Sequence, residues 1–72
     1  MMKAKMQMEI EVNGKTYWSA VEEVDSIREV ASSFKDAIME LSSLFIHLED
    51  GSYLILGEDA IKSSAFLIKA VE

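Results

Sequence analysis

The sequence predicts a small α+β domain, in which a β-hairpin, one amphipathic helix and a three-stranded antiparallel meander follow each other in the order ββαβββ, with the helix packed on one sheet face. Three observations predict this fold: one segment has a helical period, two Gly-containing turns lie between strand-like runs, and the chain has 72 residues. A chain of this length forms one domain, residues 1–72. Half of the residues are hydrophobic and proline is absent, a balance typical of an ordered protein.

The first strand is predicted from Lys5 to Val12, where apolar and polar residues alternate. Asn13-Gly14 follows, and because both central residues of a type I′ turn need a positive φ, this pair predicts a two-residue hairpin loop. The chain then returns as a second strand from Lys15 to about Glu23. The predicted register pairs Val12 with Lys15, Ile10 with Tyr17, Met8 with Ser19 and Met6 with Val21.

The segment from Ser26 to Leu41 has the period of an α-helix. Its apolar residues form one stripe on a helical wheel: Ile27, Val30, Ala31, Phe34, Ala37, Ile38 and Leu41. Two capping patterns compete for its start, one at Ser19 and one at Ser26. A helix that began at Ser19 would place Glu23 in the apolar stripe, so we predict the start at Ser26.

A second hairpin is predicted from Leu44 to Leu56, with Asp50-Gly51 as another two-residue turn. This register pairs Leu48 with Tyr53, His47 with Leu54, Ile46 with Ile55 and Phe45 with Leu56. One face then carries Leu44, Ile46, Leu48, Tyr53 and Ile55, and the other carries Phe45, His47, Leu54 and Leu56. The hairpin is therefore expected to be apolar on both faces.

After Gly57, Asp59 is expected to cap a short turn, and the last strand is predicted from Ala65 to Val71, again apolar on both faces. One helix covers only one face of such a sheet. Burying a large apolar side chain stabilises a protein by about 1.5–3 kcal/mol. Several such side chains left exposed to solvent would therefore cost a small domain much of its stability. Either the sheet curls into a barrel-like shape or a second copy covers the other face, and we favour the second copy.

The net charge of −6 disfavours direct binding to nucleic acid, which depends on basic residues that neutralise phosphates. There is no cysteine, so neither disulfides nor thiolate metal sites stabilise the domain. No apolar run approaches the ~18 residues of a membrane span. The charged start, Met1 to Lys5, is not followed by the apolar core of a secretory signal. We therefore expect a cytoplasmic protein that does not bind membranes.

No catalytic residue, metal site or cofactor is predicted. His47 lies two residues before Glu49 on one strand face, and such a pair can act as acid, base or ligand, but no nucleophile or second histidine completes a site. The acidic pairs lie at turns, where we expect them to be exposed to solvent and not to bind a metal ion. The glycines occur singly, so they form no phosphate-binding loop. The sequence therefore favours a protein that is not an enzyme.

A protein interface is the kind of site that the sequence does predict. Trp18 is expected on the face of Glu9 and Glu11, where it is either packed or an anchor for a protein contact. The second hairpin and the last strand, which are apolar on both faces, supply the other candidates. The predicted interface residues are Trp18, Phe45, His47, Leu54, Leu56 and Leu67.

Three functions are compatible with these predictions. The first is a non-enzymatic interaction module that forms a homo-oligomer, foremost a dimer, or binds another protein, through the apolar face or the edge of the last strand. The second is an acidic inhibitor of viral or mobile-element type, steered by charge to a basic surface of a nucleic-acid-handling target. The third is a small-molecule-binding subunit with a pocket between chains, where Tyr17, Tyr53 and His47 would supply polar groups.

Overall fold

The longest strand of the protein, Ala4–Val12, pairs with neighbours along both of its edges and organises the rest of the fold. In the computed structural model, which describes residues 3–72, six strands and two helices form the α+β fold that the sequence predicts. Met1 and Met2, which belong to the charged start of the sequence, lie outside the described residues. The elements are β1 (Ala4–Val12), β2 (Lys15–Trp18), β3 (Glu22–Val24), α1 (Ile27–Ile38), β4 (Ser43–His47), β5 (Tyr53–Gly57), α2 (Glu58–Ser63) and β6 (Ala65–Val71).

The hairpin of β1 and β2 has the predicted register. Val12 lies opposite Lys15, and Ile10 lies opposite Tyr17. Asn13 has a φ of 51° and Gly14 a φ of 84°, the pair of positive values that a type I′ turn requires. The local preference of an Asn-Gly pair thus decides how the chain pairs here.

The predicted second strand is interrupted by a β-bulge, so the expected pairing of Met6 with Val21 is wrong. Met6 pairs with Glu22 in β3, which leaves one more residue in this strand than in β1. Val21 is 46% exposed and does not point inward as predicted. At the bulge the backbone bonds to another strand, because the Ala20 N–H donates to the His47 carbonyl oxygen at 2.9 Å.

Ser19 supplies the polar groups that hold this bulge. The Met8 N–H donates to the Ser19 hydroxyl oxygen at 2.8 Å, and the Ser19 N–H donates to the Met8 carbonyl oxygen at 2.8 Å. The Ser19 hydroxyl in turn donates to the Ala20 carbonyl oxygen at 3.1 Å, and the Gln7 amide donates to the Ser19 carbonyl oxygen at 2.9 Å. Ser19 is buried, with 6% of its surface exposed, and its side chain replaces a bond that a regular strand would make through the backbone.

The last strand has the predicted bounds but not the predicted partner. β6 pairs antiparallel with β1 along the edge opposite β2 and β3, so the last three strands do not form a meander. The short turn predicted after Gly57 is the helix α2, whose N-cap is Gly57 and not Asp59. Ile61 of α2 is buried in the core, which fixes the helix as it leads the chain from β5 to β6.

Helix α1 begins where the capping pattern predicts. The Ser26 hydroxyl accepts a hydrogen bond from the Glu29 N–H at 3.2 Å, which satisfies one free donor of the first turn. The helix ends at Ile38, short of the predicted Leu41. It packs over β6 and β1, where Phe34 and Phe66 meet edge to face with ring centroids 5.2 Å apart.

The core lies between β1, the β4–β5 hairpin and the two helices. Its buried side chains are Met6, Met8, Ile10, Ile46, Leu48, Leu56 and Ile61. Helix α1 contributes half-buried residues such as Phe34 and Ile38 but no fully buried one. Neither helix among residues 3–72 is long and apolar enough to cross a membrane.

Candidate interaction surface

The loop between β4 and β5 has three residues and not the two predicted. The Leu48 N–H donates to the Ser52 carbonyl oxygen at 2.8 Å, and the Gly51 N–H donates to the Leu48 carbonyl oxygen at 3.0 Å. Among the described non-glycine residues only Asn13 has a positive φ, so Asp50 does not adopt the type I′ conformation. Gly51, with a φ of 91°, takes the left-handed position that ends a three-residue loop.

The extra loop residue shifts the predicted register by one, and a shift of one sends each side chain of a strand to the opposite face. The observed pairs are Ser43 with Gly57, Leu44 with Leu56, Phe45 with Ile55, Ile46 with Leu54 and His47 with Tyr53. The hairpin is therefore apolar on both faces as predicted, but the members of each face differ from the prediction.

Two predicted interface residues, Leu54 and Leu56, consequently lie on the inner face. Leu56 is buried, and Leu54 is half-buried against the core. They share that face with Ile46 and not with Phe45 as predicted. Their contribution to a contact with another chain would require the core to open.

The outer face of the hairpin carries Ser43 and four larger side chains, and we call these four the hairpin patch: Phe45, His47, Tyr53 and Ile55. Phe45 is 64% exposed, Tyr53 55% and Ile55 69%. Tyr53 stacks on Phe45 and on His47, with ring centroids 4.8 Å apart in both pairs. The three rings thus form a continuous aromatic row beside an aliphatic side chain, all on the solvent side of a two-stranded sheet.

The hairpin patch borders an unpaired strand edge. Leu48 and Ser52 form a hydrogen-bonded pair, and because such pairs alternate along an antiparallel ladder, the N–H and C=O groups of Tyr53 and Ile55 point away from β4. Within the described part of the chain no strand pairs with this edge of β5. Free backbone donors and acceptors therefore lie next to exposed apolar side chains.

Trp18 and Leu67, the other predicted interface residues, lie outside the hairpin patch. Trp18 is 41% exposed, and its indole Nε1–H donates to the Glu9 carboxylate at 3.3 Å. The same Glu9 oxygen also contacts the Lys69 ammonium at 3.2 Å. Leu67 is 52% exposed on β6. Both residues are available at the surface, but Leu67 lies on β6, which pairs with the edge of β1 opposite β2 and β3.

Tyr53 and Ile55 are the patch residues that sequence reasoning missed, because it placed them on the inner face. The signal that would have found them is the segment Glu49-Asp50-Gly51. This segment also fits a three-residue loop with a final glycine, which places Tyr53 opposite His47. Choosing between the two loops by sequence requires knowing which face the core occupies.

The polar groups expected for a pocket between chains do not gather in one place. His47 and Tyr53 stack on the outer face, whereas Tyr17 packs against the core with the Lys15 ammonium 5.4 Å from its ring centroid. Among residues 3–72 there is also no group of three or more histidine or acidic side chains arranged to hold a metal ion.

The loop of the second hairpin lowers the pKa of the Asp50 carboxyl. The Ser52 hydroxyl and the Ser52 N–H both donate to one Asp50 carboxylate oxygen, the N–H at 2.9 Å. These bonds favour the charged form and hold the pKa of Asp50 below its ordinary value. The loop is thus stabilised by a local Asp-Ser contact at neutral pH.

No family model matches the chain, and no curated protein or solved structure is similar enough to count as a match.

Proposed function

We propose that this protein is a non-enzymatic interaction module that forms a homodimer through the hairpin patch and the free edge of β5. The observation that carries the proposal is the row of exposed apolar and aromatic side chains beside unpaired backbone groups. Exposed patches of this kind mark protein contacts, and an open strand edge is a template for pairing with another strand.

Antiparallel pairing of β5 with β5 of a second copy fits the geometry. Two identical antiparallel strands are related by a two-fold axis, which makes the contact closed and self-complementary. A stable interface buries about 800 Å² on each partner, a sizeable part of the 5246 Å² surface of the described residues. Four side chains alone do not reach that area, so the contact would extend along the strand edge and the neighbouring loops.

Charge also favours this surface for self-association. Each copy carries a net charge of −6, so two copies repel each other over most of their surfaces. The hairpin patch contains no acidic residue, and its rings and aliphatic side chain can be desolvated at little electrostatic cost.

The test is the solution mass of the Ile55→Asp variant, measured by sedimentation over a wide concentration range. Ile55 points to solvent, so the substitution should leave the fold intact while it places two carboxylates at the proposed two-fold contact. We expect a dimeric parent protein and a monomeric variant with the same circular dichroism spectrum.

Leu67→Asp is the matched control, because it replaces another exposed aliphatic residue of a strand by aspartate on β6. This variant should remain dimeric. A parent protein that stays monomeric when concentrated contradicts the proposal. A dimer that Leu67→Asp dissociates and Ile55→Asp does not would assign self-association to the last strand.

A further inference from the structure

A second apolar surface lies between the two helices and β6, away from the hairpin patch. Residues of α1, α2 and β6 line a groove of about 600 Å³ there, within the range of ligand pockets. Its apolar walls come mainly from Phe34, Ile38, Leu41, Ile61, Phe66 and Ile68. The half-buried stripe of α1 thus faces open space on this side, which explains why no residue of that helix is fully buried.

The charges around this groove differ from those of the rest of the surface. The chain has 13 acidic and 7 basic residues, yet the charged residues that line the groove in the described structure are Lys35 and Lys62. Lys62 has one carboxylate neighbour, Glu58, at 3.5 Å on the same helix, and both side chains are more than half exposed. Such an exposed pair is weak, so an incoming anion can compete for the Lys62 ammonium.

We propose that the groove binds a single long-chain carboxylate, with its hydrocarbon chain along the apolar walls and its carboxylate near Lys35 and Lys62. An extended aliphatic chain matches a groove with apolar walls, and a carboxylate matches two ammonium groups in an otherwise acidic protein. Because the groove contains none of the four residues of the hairpin patch, binding is independent of the proposed self-association.

The experiment uses three probes of equal chain length and different charge: dodecanoate, dodecanol and dodecylammonium, each below the concentration at which it forms micelles. Binding is followed by chemical-shift changes of the Ile38, Ile61 and Ile68 methyl groups. We expect one dodecanoate per chain, weaker binding of dodecanol and no binding of dodecylammonium. The double variant Lys35→Gln, Lys62→Gln should bind dodecanoate about fivefold more weakly, as expected when two partly exposed ion pairs are lost.

The double variant Lys5→Gln, Lys15→Gln is the control, because it removes the same charge from two exposed residues that do not line the groove, and it should bind dodecanoate like the parent. Ala31→Phe adds a large side chain on the groove side of α1 and should abolish binding of the neutral and the anionic probe alike.

Three results would overturn the proposal: equal binding of all three probes, methyl shifts that depend on protein concentration and not on dodecanoate, or binding to anionic phosphatidylglycerol vesicles without binding of the monomeric acid. The second result would assign the groove to another copy of the chain, and the third to a membrane surface.

Discussion

Two serine hydroxyls stabilise the places where the chain departs from regular strand geometry. Ser19 accepts a hydrogen bond from a β1 N–H at the bulge, and Ser52 donates to Asp50 in the β4–β5 loop. The Ser19 hydroxyl replaces a backbone acceptor at the bulge, and the Ser52 hydroxyl adds a side-chain hydrogen bond in a loop that lies outside the strand ladder. The first is buried and the second is exposed, so their removal should have different consequences.

Ser19→Ala should destabilise the protein, because it leaves the buried Met8 N–H without its acceptor. Loss of one partner of a buried hydrogen bond costs about 1–3 kcal/mol. The measurement is the free energy of unfolding from urea titration. Ser42→Ala, at an exposed position between α1 and β4, is the control and should change stability by less than about 0.5 kcal/mol. Equal effects of the two substitutions would mean that the Ser19 hydroxyl does not support the bulge.

Ser52→Ala should raise the pKa of Asp50 towards its ordinary value, since the hydroxyl bond is the largest cause of the lowered pKa. Because the folded pKa lies below the unfolded one, the stabilisation from this contact is present above the unfolded pKa and is lost as the pH falls through the folded pKa. A carboxyl NMR titration of both proteins measures the pKa directly. A partial change is expected, because the Ser52 N–H still donates to the carboxylate, and an unchanged pKa would contradict the assignment.

At the scale of elements, the two hairpins show how similar turn dipeptides lead to different loops. Asn13-Gly14 forms a two-residue loop in which both residues have positive φ, whereas at Asp50-Gly51 only the glycine does. Asparagine adopts the left-handed conformation more readily than most residues, and Asp50 instead uses its carboxylate to bind Ser52. The difference of one loop residue decides which side chains of β5 are exposed.

Gly51→Ala should destabilise the second hairpin by about 1–2 kcal/mol, because an L-residue with a Cβ is strained at a φ of 91°. No neighbouring atom lies within 4 Å of the position that the Cβ would occupy, so conformation and not crowding causes the loss. Gly51→Asn should lose less, since asparagine tolerates this region better. Urea titration of the three proteins checks the order, and an alanine variant as stable as the parent would rule out the three-residue loop.

At the scale of the whole molecule, the two sheets are neighbours and their strands follow each other in the order β5, β4, β2 and β3, β1, β6. The short strands β2 and β3 share one position in this order, because both pair with the same edge of β1. The bridge between Ser19 and Leu48 joins the two sheets, and it is reinforced by the Glu49 N–H, which donates to the Trp18 carbonyl oxygen at 3.1 Å. Helix α1 covers the inner side near β6, and the β4–β5 hairpin covers the inner side of β1. The outer side of the hairpin remains in solvent.

This arrangement predicts opposite outcomes for adjacent residues of β5. Leu54→Asp should unfold or strongly destabilise the protein, by at least about 2 kcal/mol, because it places a carboxylate against the core. Ile55→Asp should leave the free energy of unfolding of the monomer nearly unchanged, since its side chain is exposed. Thermal or urea unfolding at low protein concentration distinguishes the effects of the two variants, and similar losses of stability would contradict the pairing of Ile46 with Leu54.

The sequence by itself determined the features that depend on local conformational preference: the helix start at Ser26, the register of the first hairpin at Asn13-Gly14, and the bounds of the last strand, Ala65–Val71. Capping, positive φ and hydrophobic period all act over a few residues, so a sequence pattern reveals them. Because both faces of the second hairpin are apolar, periodicity could not choose its register, and the core decided which face was buried. The pairing of β6 with β1 and the bulge at Ser19 likewise depend on contacts between distant parts of the chain, which only the tertiary structure decides.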